Sequence, residues 1–262
     1  MAKLLIGMLH LPALPGAPRA ALTMDEIESR ALAEARILLD AGFDSCVVEN
    51  FGDSPFHKDA VEPVTVAAMA RVVAAVRRQV PQLRVGVNVL RNDALSAVSI
   101  AAACGAHFVR VNVHVGATAT DQGIIESRAA QTLRLRRHLG AAVEIWADVH
   151  VKHGKSLAHE TLAREAEDAV HRGHADAVIV SGQRTGWATE IDDVRTAAAL
   201  HLGVPVIVGS GVNEHSVGLL LQAADGVIVG TSLKEKGDTT APLDPERAQR
   251  LVQAARKAAP VY

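Results

Sequence analysis

The sequence predicts an α/β fold, a single (β/α)8 TIM barrel covering residues 1–262. Three observations lead there. Short Val- and Ile-rich runs recur along the chain, each followed by a stretch of helical spacing, and strands alternating with helices call for a parallel sheet. Eight such units in 262 residues match the length of one barrel, about 250 residues. Acids, bases and amides also gather at successive strand ends, which is where barrels of this type carry their reactive groups. A doubly wound open sheet is the alternative that the alternation alone allows.

The first strand is Leu4 to His10, ended by Pro12, Pro15, Gly16 and Pro18. Thr23 with Glu26 three residues later has the form of a capping box, and the helix it opens runs to Ala41, with Gly42 suited to the C-terminal cap. The same grammar then repeats. Strands at Ser45–Asn50, Arg84–Val89 and His107–Val113 alternate with helices at Glu62–Val80, Asp93–Cys104 and about Ser127–His138. The second half adds strands at Val143, Ala177–Val180, Val204–Val208 and Asp225–Val229. Its helices are expected over His159–Arg172, Glu190–His201, a short one from Glu214, and Pro245–Ala259. No linker or composition shift divides the chain.

Composition narrows the class. Hydrophobic residues at 49% and charged residues at 21% describe an ordinary globule with ample core, and at 3% aromatics Ala and Val must fill much of it. A formal charge of −2 gives no reason to expect nucleic acid or an anionic membrane as a partner. No apolar stretch reaches the roughly 18 residues of a membrane span, and the apolar start is too short and too quickly broken by proline for a signal peptide. Cys46 and Cys104 lack CxxC spacing, so a reduced, cytoplasmic setting is expected. A homo-oligomer is left open.

The stretch Val143 to His153 concentrates the chemistry. Val143, Ile145, Ala147, Val149 and Val151 alternate with Glu144, Trp146, Asp148, His150 and Lys152, which gives one apolar face and one face ending in an acid, an imidazole and an amine. In a barrel that second face is expected to point into the lumen. Asp148 and His150 are then candidates for proton transfer, and Lys152 for charge stabilisation or a Schiff base. Glu49 is the candidate acid or base from the opposite side. His10, Asn88, Arg110, Asn112 and Asp121 complete a candidate substrate set, with the bland alternatives of a buried Glu49–Arg110 pair, cross-strand amide hydrogen bonds and a lumen-capping His10.

Phosphate is the second signal. Gly209-Ser210-Gly211 ends the seventh strand and Gly230-Thr231-Ser232 the eighth. Barrels often bind a phosphate on these two turns, because glycine lets backbone amides approach an anion. Two glycine-flanked loops, Gly116–Gly123 and Gly182–Gly186, read as lids, with Asp121, Arg184 and Thr185 able to close on a ligand. The histidines 153, 159, 171, 174 and 201, and the arginines 134, 136 and 137, read as solvated. No cofactor is expected. Glu49, Asp148 and His150 could ligate a divalent metal, but Lys152 and Arg110 beside them argue against one.

Several segments together resemble the BtpA/SgcQ family: Ile6–Gly16, Val48–Asp53, Val87–Asp93, Arg110–Asn112, Thr120–Gly123, Ala147–His153 and Gly230–Ser232. The resemblance covers nearly the whole chain. It implies a ribulose-phosphate-binding type of barrel. It also implies kinship with a cyanobacterial branch linked to photosystem I biogenesis at the thylakoid surface, and with a bacterial branch that travels with sugar-phosphotransfer operons. Two functions follow. One is an enzyme acting on a small phosphorylated sugar or phosphoribosyl compound, of isomerase, aldolase or other lyase, or transferase type. The other is a non-catalytic assembly factor for a photosynthetic membrane complex.

Overall fold

The computed structural model describes residues 3–150, 154–158, 160–182 and 189–258. In chain order the elements are β1 (Leu4–His10), α1 (Met24–Ala41), β2 (Ser45–Glu49), α2 (Pro63–Gln79), β3 (Arg84–Asn88), α3 (Ala94–Cys104) and β4 (Phe108–Val111). There follow β5 (Ala117–Thr120), β6 (Gly123–Glu126), α4 (Ala129–His138), β7 (Glu144–Val149), β8 (Gly154–Ser156) and α5 (Leu162–His171). The chain closes with β9 (Ala177–Val180), α6 (Ile191–Ala199), β10 (Val206–Val208), α7 (Val217–Ala223), β11 (Gly226–Val229) and α8 (Pro245–Ala258). Strands β1, β2, β3, β4, β7, β9, β10 and β11 pair in parallel around a closed barrel, with β11 returning to β1.

Local chemistry sets these boundaries. The Thr23 side chain accepts from the Glu26 backbone N–H while Glu26 reaches back to the Thr23 N–H, and Gly42 ends α1 in the left-handed region at φ 98°. Asp93 caps α3 by accepting from the Ser96 N–H at 3.0 Å. Pleating sends alternate strand residues outward and inward. The outward set, such as Val48, Val87, Val109, Ile145 and Val178, packs against the helices. The inward set, including Ile6, Met8, Val47, Phe108, Trp146, Ile179, Ile207 and Ile228, fills the lower lumen.

Trp146 belongs to that floor. Its ring stacks on Phe108 with centroids 3.9 Å apart, and its Nε1 donates to Glu144 Oε2 at 2.9 Å, so the polar end of the indole is satisfied. Gly86 makes room for the pair, since a Cβ there would lie 2.2 Å from Phe108 Cε2.

Two expectations change. The loop after β4 is not irregular: β5 and β6 form an antiparallel hairpin, and β8 joins β5 on its other edge. Thr118 and Ile125 are buried beneath it, with Ile125 against Val113. Arg136 is not simply solvated, because it donates to Asp176 Oδ2 at 2.6 Å and to Val143 O at 3.1 Å.

Candidate active site at the barrel mouth

Two residues beyond the lumen floor, each barrel strand presents its next inward position. These are His10, Glu49, Asn88, Arg110, Asp148, Ser181, Gly209 and Gly230, on the eight strands in turn. Six carry polar side chains and two, on adjacent strands, carry none. The polar layer leans onto those two strands. A Cβ at Gly209 would stand 2.4 Å from Ser181 Oγ and 3.4 Å from Arg110 Nη2, and one at Gly230 would stand 2.9 Å from His10 Cε1.

The centre of the layer is a buried ion pair. Arg110 Nε and Nη2 each donate to one oxygen of Asp148 at 2.8 Å, a bidentate fork. Asn112 Nδ2 and Ser181 Oγ each donate to the same carboxylate at 3.0 Å. Asn88 Nδ2 donates to Arg110 O and to Asn112 Oδ1 at 2.9 and 3.1 Å, which fixes the backbone and amide that hold the fork. Burial works against charge on Arg110, yet Asp148, with Glu49 behind it, holds the guanidinium pKa above its ordinary value. The Arg110 partner is therefore Asp148, not Glu49.

Above the layer lies a cavity of about 1110 Å³. Of the residues singled out from sequence, His10, Glu49, Arg110, Asn112 and Asp121 line it, together with all six of Gly209, Ser210, Gly211, Gly230, Thr231 and Ser232. His10 Nε2 lies 3.7 Å from Glu49 Oε1, both nearly buried. Asp121 reaches in from the turn between β5 and β6, so the hairpin covers part of the mouth. Arg91 also lines the cavity, and burial pulls its pKa down against the opposing pull of Asp121, Glu49 and Asp148.

Both glycine turns face the cavity. Leu233 N–H donates to Gly230 O and Lys234 N–H to Thr231 O, winding Thr231–Leu233 into a single 3-10 turn. The first N–H groups of such a turn have no partner within it. Beside it, Ser210 Oγ accepts from the Gly182 N–H at 2.7 Å, and Ser232 Oγ donates to Val212 O at 2.6 Å, tying the two turns to their neighbours. Beneath the second turn Lys234, fully buried, forms an ion pair with Glu34 at 2.9 Å. Arg30 continues that network to the Thr240 carbonyl at 2.7 Å, and both Arg30 and Thr240 line the cavity.

Other expectations move. Asp148 and Asn88 do not line the cavity but hydrogen-bond Arg110 and Asn112, which do. His150 follows the last residue of β7, its backbone turns left-handed at φ 53°, and its side chain is exposed outside the cavity lining, so it does not point into the lumen. Lys152 and His153 lie outside the described residues, as do His159, Arg184, Thr185 and Gly186. Glu49, Asp148 and His150 are not brought together as a ligand set, and among the described residues no three His, Cys, Asp or Glu side chains form one.

Sequence reading missed Ser181, Arg30, Phe51 and Phe56, and gave Asn50 only as a polar strand end. Strand parity beyond Ile179 would have found Ser181. Asn50 ties two loops together, donating to Asp53 Oδ2 at 3.0 Å and accepting from the Leu90 N–H at 2.7 Å, and only tertiary structure reveals that.

A family model described as the BtpA family matches residues 1–257. The chain belongs to the BtpA family. A photosystem I biogenesis protein BtpA from Synechocystis is 44% identical over 95% of this chain and 86% of its own length. An uncharacterized protein of Methanocaldococcus jannaschii is also 44% identical, over 97% of this chain and 96% of its own. Among solved structures, N-(5'-phosphoribosyl)anthranilate isomerase from Pyrococcus furiosus superposes with TM-score 0.57 at 14% identity, covering 97% of this chain and 99% of that one. A 3-keto-L-gulonate-6-phosphate decarboxylase from Vibrio cholerae gives 0.58 at 15%, covering 99% of both. At such identities the likeness establishes the TIM barrel of this BtpA-family chain and nothing finer. Among its described residues no helix is long and apolar enough to cross a membrane.

Proposed function

We propose that this BtpA-family protein is an enzyme acting on a small phosphorylated sugar or phosphoribosyl compound. The observation that carries the reading is that both glycine turns, the Glu49–His10 pair and Arg110 open into one cavity. The turns after β10 and β11 take the phosphate, which places the sugar over the polar layer. Glu49 removes a proton from carbon beside a carbonyl, and the electron pair moves onto the carbonyl oxygen. Arg110, kept charged and aimed by Asp148, stabilises that oxyanion. Return of the proton at a neighbouring atom, from Glu49 or through His10, completes an isomerisation, and a lyase or transferase uses the same parts. Two enzyme neighbours of the same fold carry phosphoribosyl or sugar-phosphate names, which supports the substrate class as analogy.

Melting curves with ribose 5-phosphate, ribulose 5-phosphate, inorganic phosphate and ribose test this. Phosphorylated ligands at a hundredfold excess over Kd should stabilise by about 2.7 kcal/mol, and ribose should not. Absence of any shift with all phosphorylated compounds would remove the phosphate site. The second reading, an assembly factor for a membrane complex, is favoured by the name of the Synechocystis relative. The Methanocaldococcus relative matches this chain at the same identity without bearing that name.

A further inference from the structure

The described residues hold five aromatic side chains besides histidine. Three of them, Phe43, Phe108 and Trp146, are buried in the core. The other two, Phe51 and Phe56, stand partly exposed in the wall of the mouth cavity. Leu11, Pro12 and Leu90 continue that wall, so the loops after β1, β2 and β3 face the cavity with apolar surface. A chain with so few aromatics that places two on one cavity wall presents π-faces to whatever fills it.

The wall is fixed. The Gly52 N–H donates to Leu11 O at 3.0 Å, Asp53 Oδ1 accepts from the Leu14 N–H at 2.8 Å, and Asn50 bridges to the loop of Leu90. Gly52 packs so closely that a Cβ would lie 2.2 Å from Ala13 N. Three loops thus set Phe51 at the edge of the polar layer, its ring 4.6 Å from that of His10. The same imidazole also lies against Gly230. His10 thus touches both the aromatic wall and the glycine turn, so the two lie within one side chain of each other at the cavity's edge. The cavity, about 1110 Å³, lies at the upper end of ordinary ligand pockets, roughly 300–1000 Å³, and so has room for a ring beside the sugar phosphate.

We infer that the ligand is a phosphorylated sugar bearing a planar ring, of the nucleoside 5′-monophosphate class, with the ring packed on the wall that Phe51 and Phe56 form. This rests on the phosphate reading above and narrows it. Stacking on an aromatic side chain tolerates any planar base, because each offers a π-face.

Calorimetric titration of the full chain with adenosine 5′-monophosphate, uridine 5′-monophosphate and ribose 5-phosphate tests it. At least one nucleotide should bind about tenfold more tightly than ribose 5-phosphate, the order of gain expected from one base–aromatic contact. In the double variant Phe51→Leu/Phe56→Leu, which keeps apolar bulk and loses the π-faces, that ratio should fall towards one. Equal affinities in the natural chain, or a ratio unmoved by the double variant, would overturn the ring subsite while ribose 5-phosphate binding kept the phosphate reading intact. Failure of all three to bind would overturn both.

Discussion

Asp148→Asn replaces one acceptor oxygen of a carboxylate that takes four hydrogen bonds with an amide that must donate. Two of the four come from Arg110 at 2.8 Å and two from Asn112 and Ser181 at 3.0 Å, so wherever the new NH2 points it meets a donor. Arg110, 5% exposed, then keeps its charge without a counterion. Removing one partner of a buried ion pair costs about 3–5 kcal/mol. For a chain of this size each kcal/mol lowers Tm by roughly 2–4 °C, so a drop on the order of 10 °C is expected in a thermal scan. Arg110→Met added to Asp148→Leu should recover part of the loss, because no charge is then stranded. A cost below about 1 kcal/mol for Asp148→Asn, or a double variant worse than either single by simple addition, would refute the claim that the fork organises the layer.

The remaining expectations concern its surroundings. Gly230→Ala places a methyl 2.9 Å from His10 Cε1. Denaturant melts should therefore show about 1–3 kcal/mol lost and sugar-phosphate affinity should fall; an unchanged protein would contradict the close approach. Lys234→Met takes from buried Glu34 the nearer of its two cations, at 2.9 Å, leaving Arg30 Nε at 3.2 Å, and should cost about 1–3 kcal/mol by urea unfolding, partly restored by adding Glu34→Gln; no loss would mean that Arg30 alone suffices. His114 is buried, its Nε2 at 2.8 Å from Gly173 O, and burial lowers its pKa from 6.5; burial lowers His107 as well. Below 6.5 the unfolded chain takes up protons that the fold resists, so stability should be full above that pH and fall as pH drops through it. His107→Gln/His114→Gln should flatten the Tm–pH profile between pH 7.5 and 5.5, and an equally steep profile would shift the cause elsewhere.

The barrel was legible because both of its periodicities lie in the chain: period two in strands such as Ile145 to Val149, and caps such as Thr23 and Gly42 around the helices. The two glycine turns were legible as a pair at the ends of neighbouring strands, and both line the cavity; the close approach of Ser181 and His10 that keeps Gly209 and Gly230 free of a side chain was not. Pairing was not legible. Arg110 and Asp148 lie 38 residues apart, and only the register of β4 on β7, with Arg110 opposite Trp146, puts the guanidinium beside that carboxylate. Strand parity also holds only while the strand does. It ran through Asp148 and failed at His150, where the left-handed backbone turns the side chain out. The hairpin over the mouth was hidden for a related reason, since Gly154-Lys155-Ser156 has no intrinsic strand preference and becomes β8 only because β5 offers it an edge.

The proposed phosphate sits on the turns after β10 and β11, above Glu49, His10 and Arg110. A crystal structure of the protein soaked with ribose 5-phosphate tests it most directly. The expected result is a phosphate within hydrogen-bond distance of the backbone amides of residues 209–212 and 230–232, with the sugar over Arg110. Well-occupied ribose 5-phosphate bound away from both turns, or a mouth still empty at concentrations that saturate binding in solution, would contradict it.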